Sequence, residues 1–424
     1  MKILLPYGRG KTELEIPDKN MLGIIKPEDI VPVPDAAEEV RRALNSPNGP
    51  RLKDIVSSGK KILIAVSDIS RPAPSRILIP PVLEELHAGG AAVEDISLVF
   101  ALGIHRRQSE AEKVHLIGEE IYRNYRCMEH NIDDCVYAGT TASGTRADLY
   151  REAMETDCLI ATGNIEFHYF AGFSGGAKAV APGLCGRETT AVNHSRFASA
   201  GCRPGNLEGN PLRMELEEIA DMVGVDFMLN AVLDGKQNLL LAAAGDVRDA
   251  HRKGADFLRQ NAFQFIEERA DIVVVSPGGY PKDLDLYQTH KAMEHALPAL
   301  KRGGIMIIAG SCEEGLGVPA FADVFEEYPR PEDLAAELES RFVQGRHIAC
   351  RIAAIHLRNT VYLVSSLPEN IREKIFVPQF HSVQAALERA LEHKGPDASV
   401  WVMPYGISVV PVGKTGSDHE RNTR

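Results

Sequence analysis

The side chains with chemistry to offer sit just past apolar runs. Asp68, Ser70 and Arg71 follow Lys61–Ser67 (KILIAVS), and His105 follows Asp95–Leu102 (DISLVFAL). His168 and Lys178 follow Cys158–Thr162 (CLIAT). A further group follows Asp271–Ser276 (DIVVVS), running from Tyr280 to Lys291 and including Tyr287, Gln288 and His290. Arg71 presents a planar fork suited to a carboxylate or phosphate. His105 and His168 come from different runs and suit a paired general acid and base near neutral pH. Lys178 lies near Gly172, Gly175 and Gly176, whose bare backbone admits close approach of a ligand and offers N–H donors. Desolvated there, its amine can act as a nucleophile or carry a covalent cofactor. His194, after Asn193, is another candidate ligand. His115, His130, His251 and His356 read as structural or solvent-facing.

The elements that must position these groups alternate between strand and helix. Residues 1–18 read as two short strands around Tyr7-Gly8-Arg9-Gly10, followed by Pro-rich text and a helix from Ala36 to Leu44. The run KILIAVS reads as a strand, with a helix over Arg76–Ala88 behind it, and DISLVFAL reads as the next strand. Ser109 with Glu112 three residues on reads as a capping box. Cys135–Ala138 and Cys158–Thr162 are strands, and Asp246 caps a helix to Ile266. A second series starts at DIVVVS, with further strands at Gly304–Ala309, Asn359–Ser365 and Ser399–Met403. Helices near 331–342, 346–356 and 382–394 lie between them. Strand–helix alternation, twice over, predicts an α/β protein with two doubly wound, Rossmann-like domains. Open parallel sheets bind ligands outside their strand exits, so the candidate residues are expected to face one cleft between the domains. The expected boundaries are 1–269, 270–412 and a disordered polar tail at 413–424.

Composition narrows the function class. With 424 residues and a formal net charge of −12, the chain is not that of a general binder of nucleic acid or anionic membrane. No apolar run approaches the ~20 residues that span a bilayer. Seven scattered cysteines, without C-x-x-C pairs, suit reduced thiols in a cytosol. The chain has no H-E-x-x-H, EF-hand or P-loop order, and no G-x-G-x-x-G follows a strand in register.

Five stretches together resemble the nickel-pincer lactate racemase family, over nearly the whole chain and in the same order. They are S-D-I-S-R-P (67–72), A-L-G-I-H-R (101–106), G-N-I-E-F-H-Y-F-A-G-F-S-G-G-A-K (163–178), N-H (193–194) and Y-Q-T-H-K (287–291). The resemblance implies two α/β domains with the active site between them. It also implies a nickel-bound pyridinium mononucleotide with two thiocarbonyl arms, attached to Lys178, with His194 completing the nickel coordination. His105 and His168 would exchange roles as proton acceptor and donor to a 2-hydroxy acid. Arg71 would hold the substrate carboxylate or cofactor, and Asp68, Ser70, Gln288 and Lys291 would line the same site, with Tyr287 also at the substrate. Ser70 stands where the family has threonine, which keeps the hydroxyl. Host enzymes that build the cofactor would be functional partners. His347, beside Arg346, falls where a lactate racemase is expected to place a bulky tryptophan, so a longer or more polar 2-hydroxy acid than lactate is expected. Three other readings compete. They are a non-catalytic or maturation protein of the same fold, a nucleotide- or phosphate-ester enzyme, and a zinc or nickel lyase held by His105, His168 and His194.

Overall fold

The structure is a computed structural model that describes residues 1–71, 73–199, 201–340 and 345–413. The chain forms two compact units. One, the inserted unit, is Asp29–Gln260; the other, the split unit, joins Met1–Glu28 to the chain from Asn261 onward. The split unit therefore begins with β1 (Lys2–Tyr7), β2 (Gly10–Glu15) and β3 (Met21–Ile24). The sequence boundary placed these residues with the first domain, 1–269. They leave it because β3 pairs in parallel with Val400–Met403, and because Ile3, Leu5, Leu14 and Ile16 pack into the core around Ile272, Ile305 and Val400. β3 was not foreseen. It is a four-residue edge strand, and Gly23 is bare because a Cβ there would meet Trp401 at 2.7 Å.

In the inserted unit, helix α1 (Ala36–Asn45), capped by Asp35, precedes β4 (Ile62–Ser67). Helix α2 (Ser75–Ala88), β5 (Ile96–Ala101), helix α3 (Glu110–Ile117) and β6 (Arg126–Glu129) follow. The capping box of α3 forms as read, with Ser109 and Glu112 bonded reciprocally. An antiparallel hairpin, β7 (Cys135–Thr140) and β8 (Arg146–Tyr150), leads to β9 (Cys158–Ile165). A second, very short hairpin joins β10 (Phe167–His168) to β11 (Gly172–Phe173). Helices α4 (Arg187–Ser195) and α5 (Pro211–Val223), strands β12 (Val225–Leu233) and β13 (Leu239–Gly245), and helix α6 (Asp249–Ala262) complete the unit. The sheet order is β13-β12-β9-β4-β5-β6, parallel except for the β12–β13 pair. Ile62–Val66 is buried throughout because helices cover both faces of such a sheet. Its core joins Ile64, Val66, Leu98, Phe100, Ile160 and Phe227 to Leu78, Val82 and Leu86 of α2.

Two expectations are corrected here. The helix after Asp246 stops at Ala262, because Phe263–Ile266 becomes strand β14, paired in parallel with Val410–Gly413. β9 runs three residues past Thr162 through Gly163 and Asn164, since its β12 partner continues opposite them.

After β14 the split unit continues with β15 (Ala270–Val275), helix α7 (Leu286–Ala296) and β16 (Leu300–Ala309). Helix α8 (Arg346–Arg358), β17 (Thr360–Val364), β18 (Gln379–Phe380), helix α9 (Val383–Lys394), β19 (Val400–Met403) and β20 (Val410–Gly413) follow. Its main sheet, β18-β17-β16-β15-β19-β3, is parallel throughout. Both units are thus doubly wound α/β folds. Of the polar tail expected at 413–424, Gly413 ends β20 and the rest lies outside the described residues. Among the described residues no helix is long and apolar enough to cross a membrane.

Candidate active site

Chain order builds the inserted unit's sheet outward from β4, first to β5 and β6, then on the other side to β9. The order reverses beside β4, and in open α/β sheets ligands bind outside the strand ends at such a reversal. Asp68 is the residue after β4, His105 lies beyond the end of β5, and His168 lies beyond the end of β9.

Asp68 is 3% exposed, and its Oδ2 accepts from His105 Nδ1 at 2.9 Å. Its Oδ1 accepts from the Ser70 amide at 2.8 Å. Ser70 Oγ lies 3.2 Å from the same ring nitrogen of His105, and Arg71 Nη2 lies 3.4 Å from the other, Nε2. Burial pushes the Asp68 carboxyl up, but His105, Arg71 and the Ser70 contact outweigh it and hold it well below the usual carboxylate range. A carboxylate on Nδ1 fixes the imidazole tautomer and leaves Nε2 to exchange protons. Gly103, with φ +55°, turns the chain into this site; a Cβ there would meet the Pro182 carbonyl oxygen at 3.2 Å.

His168 is built differently. Its Nδ1 faces the amides of Phe170 and Ala171, at 3.5 and 3.3 Å, across the hairpin turn. Its Nε2 lies 3.4 Å from Lys178 Nζ. Phe170 is the hub: its ring centroid is 4.4 Å from the His168 ring, 5.1 Å from the His194 ring and 5.4 Å from Lys178 Nζ. His194 sits in the last turn of α4 and is 8% exposed. The structure therefore gathers Asp68, Ser70, Arg71 and His105 into one cluster, and His168, Lys178 and His194 into another. Both clusters belong to the same unit, the first at strand exits and the second joining the β10–β11 hairpin and the turn after it to the last turn of α4.

Tyr287, Gln288 and Lys291 lie on α7 of the split unit. Asp285 caps that helix through the Gln288 amide at 2.6 Å, and Lys291 Nζ donates to Gln288 Oε1 at 2.6 Å. Burial raises the Asp285 carboxyl to about 6, although the Gln288 amide and Lys291 act against it. Tyr287 packs its ring edge-on against Phe321 at 5.7 Å. His347, in the first turn of α8, is 3% exposed rather than solvated, and its neighbour Arg346 pairs with Glu327.

A site with His105, His168 and His194 as three ligands of one metal is not what the geometry presents. His105 is engaged by Asp68, Ser70 and Arg71. Among the described residues no group of three or more His, Cys, Asp or Glu is placed to hold a metal.

Sequence reasoning missed the supports. Helix α5 with β12 and β13 was not foreseen, although Asn210-Pro211 is a helix-start signal. From that region Asn210 donates to the Phe170 carbonyl at 2.8 Å, and Asn230 Oδ1 accepts from the Gly176 amide at 2.7 Å. His251, read as structural, is fully buried and bonded to Arg213 and the Ser174 carbonyl.

Comparison with known proteins bears on this arrangement. Residues 7–203 match the lactate racemase N-terminal domain family, and residues 266–411 match the lactate racemase C-terminal domain family. A lactate racemase of Thermoanaerobacterium thermosaccharolyticum is 33% identical over 422 residues, spanning 96% of this chain and 98% of that protein. A lactate racemase of Lactiplantibacillus plantarum is 30% identical over 420 residues, with the same two coverages. The solved apoprotein of the T. thermosaccharolyticum lactate racemase superposes with a TM-score of 0.92 at 32% identity. That match covers 97% of this chain and all of that one.

Proposed function

This chain belongs to the lactate racemase family, and from that premise we propose that it racemises or epimerises a 2-hydroxy acid, with His105 and His168 as its two proton-transferring groups. It is an isomerase. Inverting a carbinol carbon requires a group on each side, because the hydroxyl lies on opposite sides in the two isomers. The observation that carries the reading is the pair of imidazoles beyond the strands flanking β4. Each is fixed through Nδ1, and each has a basic side chain 3.4 Å from Nε2.

Arg71 is assigned the substrate carboxylate. With Nη2 so close to His105 Nε2, a carboxylate on the guanidinium brings the α-hydroxyl of the same molecule to the imidazole. His105 takes or returns the hydroxyl proton through Nε2, while Asp68 holds the tautomer and stabilises the imidazolium. His168 is the proton-transferring group for the opposite isomer; its Nδ1 accepts from the Phe170 and Ala171 amides, so the neutral ring carries its proton on Nε2 and offers it as a donor. Tyr287 and Lys291 are assigned to the substrate as well.

The group implied by the family is the nickel-pincer nucleotide, which when bound accepts and returns the α-hydride. Lys178 would hold it covalently, and His194 would be the protein's nickel ligand. Asp68, Ser70, Arg71, Gln288 and Lys291 would bind the rest. The residues present fit such a group. Gly175 and Gly176 both have positive φ, and a Cβ on Gly176 would come within 2.8 Å of the His251 ring, so the loop stays bare beside Lys178. Among the described residues no three His, Cys, Asp or Glu are grouped to hold a metal by themselves, which suits a metal that brings most of its own donors to His194. Substrate preference is proposed to lie beyond lactate, since His347 is smaller and more polar than the tryptophan a lactate racemase is expected to place there.

The test is to produce the chain together with cofactor-building enzymes, measure the mass of the Lys178 peptide, and follow optical rotation of single-isomer 2-hydroxy acids. An added mass on Lys178 and loss of rotation are expected, with both absent in Lys178→Ala. Full activity in Lys178→Ala would refute the tether, and no rotation change with any 2-hydroxy acid would refute the activity.

A further inference from the structure

Helix α5 bonds, through opposite faces, to the segments that carry the two proposed anchors of the cofactor. Successive residues of an α-helix are about 100° apart, so side chains two positions apart point to opposite sides. Arg213 and Glu215 are such a pair.

Arg213 is 1% exposed. Its Nη1 donates to the Phe173 carbonyl at 3.3 Å, and its Nη2 donates to His251 Nδ1 at 3.1 Å. His251 Nε2 then donates to the Ser174 carbonyl at 2.8 Å. Glu217, one turn on, balances the guanidinium charge at 2.7 Å. This face thus grips the loop that leads into Lys178.

Glu215 is 3% exposed and faces α4. Its Oε2 accepts from Asn193 Nδ2 at 2.9 Å and from Arg196 Nε at 3.1 Å. Its Oε1 accepts from Arg196 Nη2 at 3.1 Å and from the hydroxyls of Thr141, Ser143 and Thr145. Asn193 and Arg196 bracket His194, and Asn193 also donates to the Leu212 carbonyl of α5 at 3.2 Å. Every neighbour of this carboxylate donates, so only an acceptor without protons of its own satisfies them all.

We propose that α5 is the frame that sets the separation between Lys178 and His194. Glu215 is a positioning residue for the imidazole, and Arg213 with His251 positions the lysine loop. The proposal rests on the reading that these two side chains hold one cofactor. A covalent anchor and a metal ligand converging on one rigid planar group must be spaced correctly, and a loop and a helix end need an outside support to keep that spacing.

The test separates the two faces. Each variant is co-produced with the cofactor-building enzymes, and two quantities are read: the mass of the Lys178 peptide and nickel retention against a chelator. Glu215→Gln places an amide N–H among donors. It should keep the Lys178 adduct while nickel is held ~10- to 100-fold less tightly. Thr145→Val removes one donor at nearly constant shape and should shift nickel in the same direction, with Thr145→Ser restoring it. His251→Leu should instead lower the fraction of Lys178 that carries the adduct. If Glu215→Gln does not fold, the Thr145 pair decides. Unchanged nickel retention in folded Glu215→Gln, or in Thr145→Val, overturns the frame, and an unchanged adduct fraction in His251→Leu overturns its lysine half. In either case an unmodified chain that carries cofactor leaves the cofactor reading standing. An unmodified chain with neither nickel nor adduct overturns both.

Discussion

Asp68 and His105 meet with Oδ2 and Nδ1 2.9 Å apart, joining the exits of two neighbouring parallel strands. The carboxylate is nearly fully buried, and the imidazole is partly open to solvent. The pair is therefore a fixed acceptor holding a reachable ring.

Asp68→Asn keeps the shape and removes the charge. The expected result is a kcat lower by ~10²-fold or more, from loss of the stabilised imidazolium and of the enforced tautomer. The fold should stay intact, and kcat is compared per cofactor-loaded chain. Steady-state kinetics on loaded protein checks this, and an unchanged kcat would show that Asp68 serves packing alone.

His105→Ala and His168→Ala should each lower racemisation by ~10²–10⁴-fold, because one isomer needs its proton removed on one side and the return step uses the other. A substrate deuterated at Cα should keep its label through racemisation in the unmodified enzyme. Rapid exchange of that label into water, followed by mass spectrometry, would instead indicate removal of the α-proton.

His347 gives a substrate prediction. Lactate should be poorer than malate, 2-hydroxyglutarate, 2-hydroxybutyrate or gluconate by kcat/KM. His347→Trp should shift preference back toward lactate by roughly the 10- to 200-fold that hydrophobic pocket changes of ~1–3 kcal/mol command. A clear lactate preference in the unmodified protein, or no shift in His347→Trp, would contradict it.

Glu215 gives a pH prediction. Burial raises its carboxyl, but Arg196 and the hydroxyl and amide donors outweigh this and hold it at about 2, against an ordinary 4.5. A depressed carboxyl contributes stability that is present above its ordinary titration range and is lost as pH falls through the depressed value. Relative to the unmodified chain, Glu215→Gln should lower Tm at pH 6, with the gap narrowing from about pH 4.5 down to 2. A gap independent of pH would mean that the variant acts through shape rather than charge.

Much of this was legible in the chain because strands of a covered parallel sheet are continuous apolar runs. KILIAVS and DISLVFAL announced β4 and β5, and Asp68 and His105 followed at their ends. The pairing of Asp68 with His105 was not legible, since it depends on β4 and β5 being neighbours. Nor was α5. Its charged residues Arg213 and Glu215 are buried, because each finds its partners on segments distant in sequence. Thr162-Gly163-Asn164 looked like the end of a strand, yet Thr162 donates to the Ala65 carbonyl at 2.7 Å and the strand continues.

The edge strand Met21–Ile24 pairs with Val400–Met403. At roughly 5–20 residues per second of synthesis, it leaves the ribosome on the order of 20–75 s before its partner exists. The main sheet of the inserted unit, from Ile62 to Gly245, needs no such wait. During that interval Met21–Ile24 is an unmatched ribbon, open to pairing with the wrong chain. Vectorial synthesis thus completes the segment carrying both histidines and Lys178 first, and leaves the sheet of the split unit to be finished after the insert has folded. Pulse-labelled, ribosome-stalled chains ending near residue 300 should accordingly protect Asp29–Gln260 from protease while Met1–Glu28 is cut.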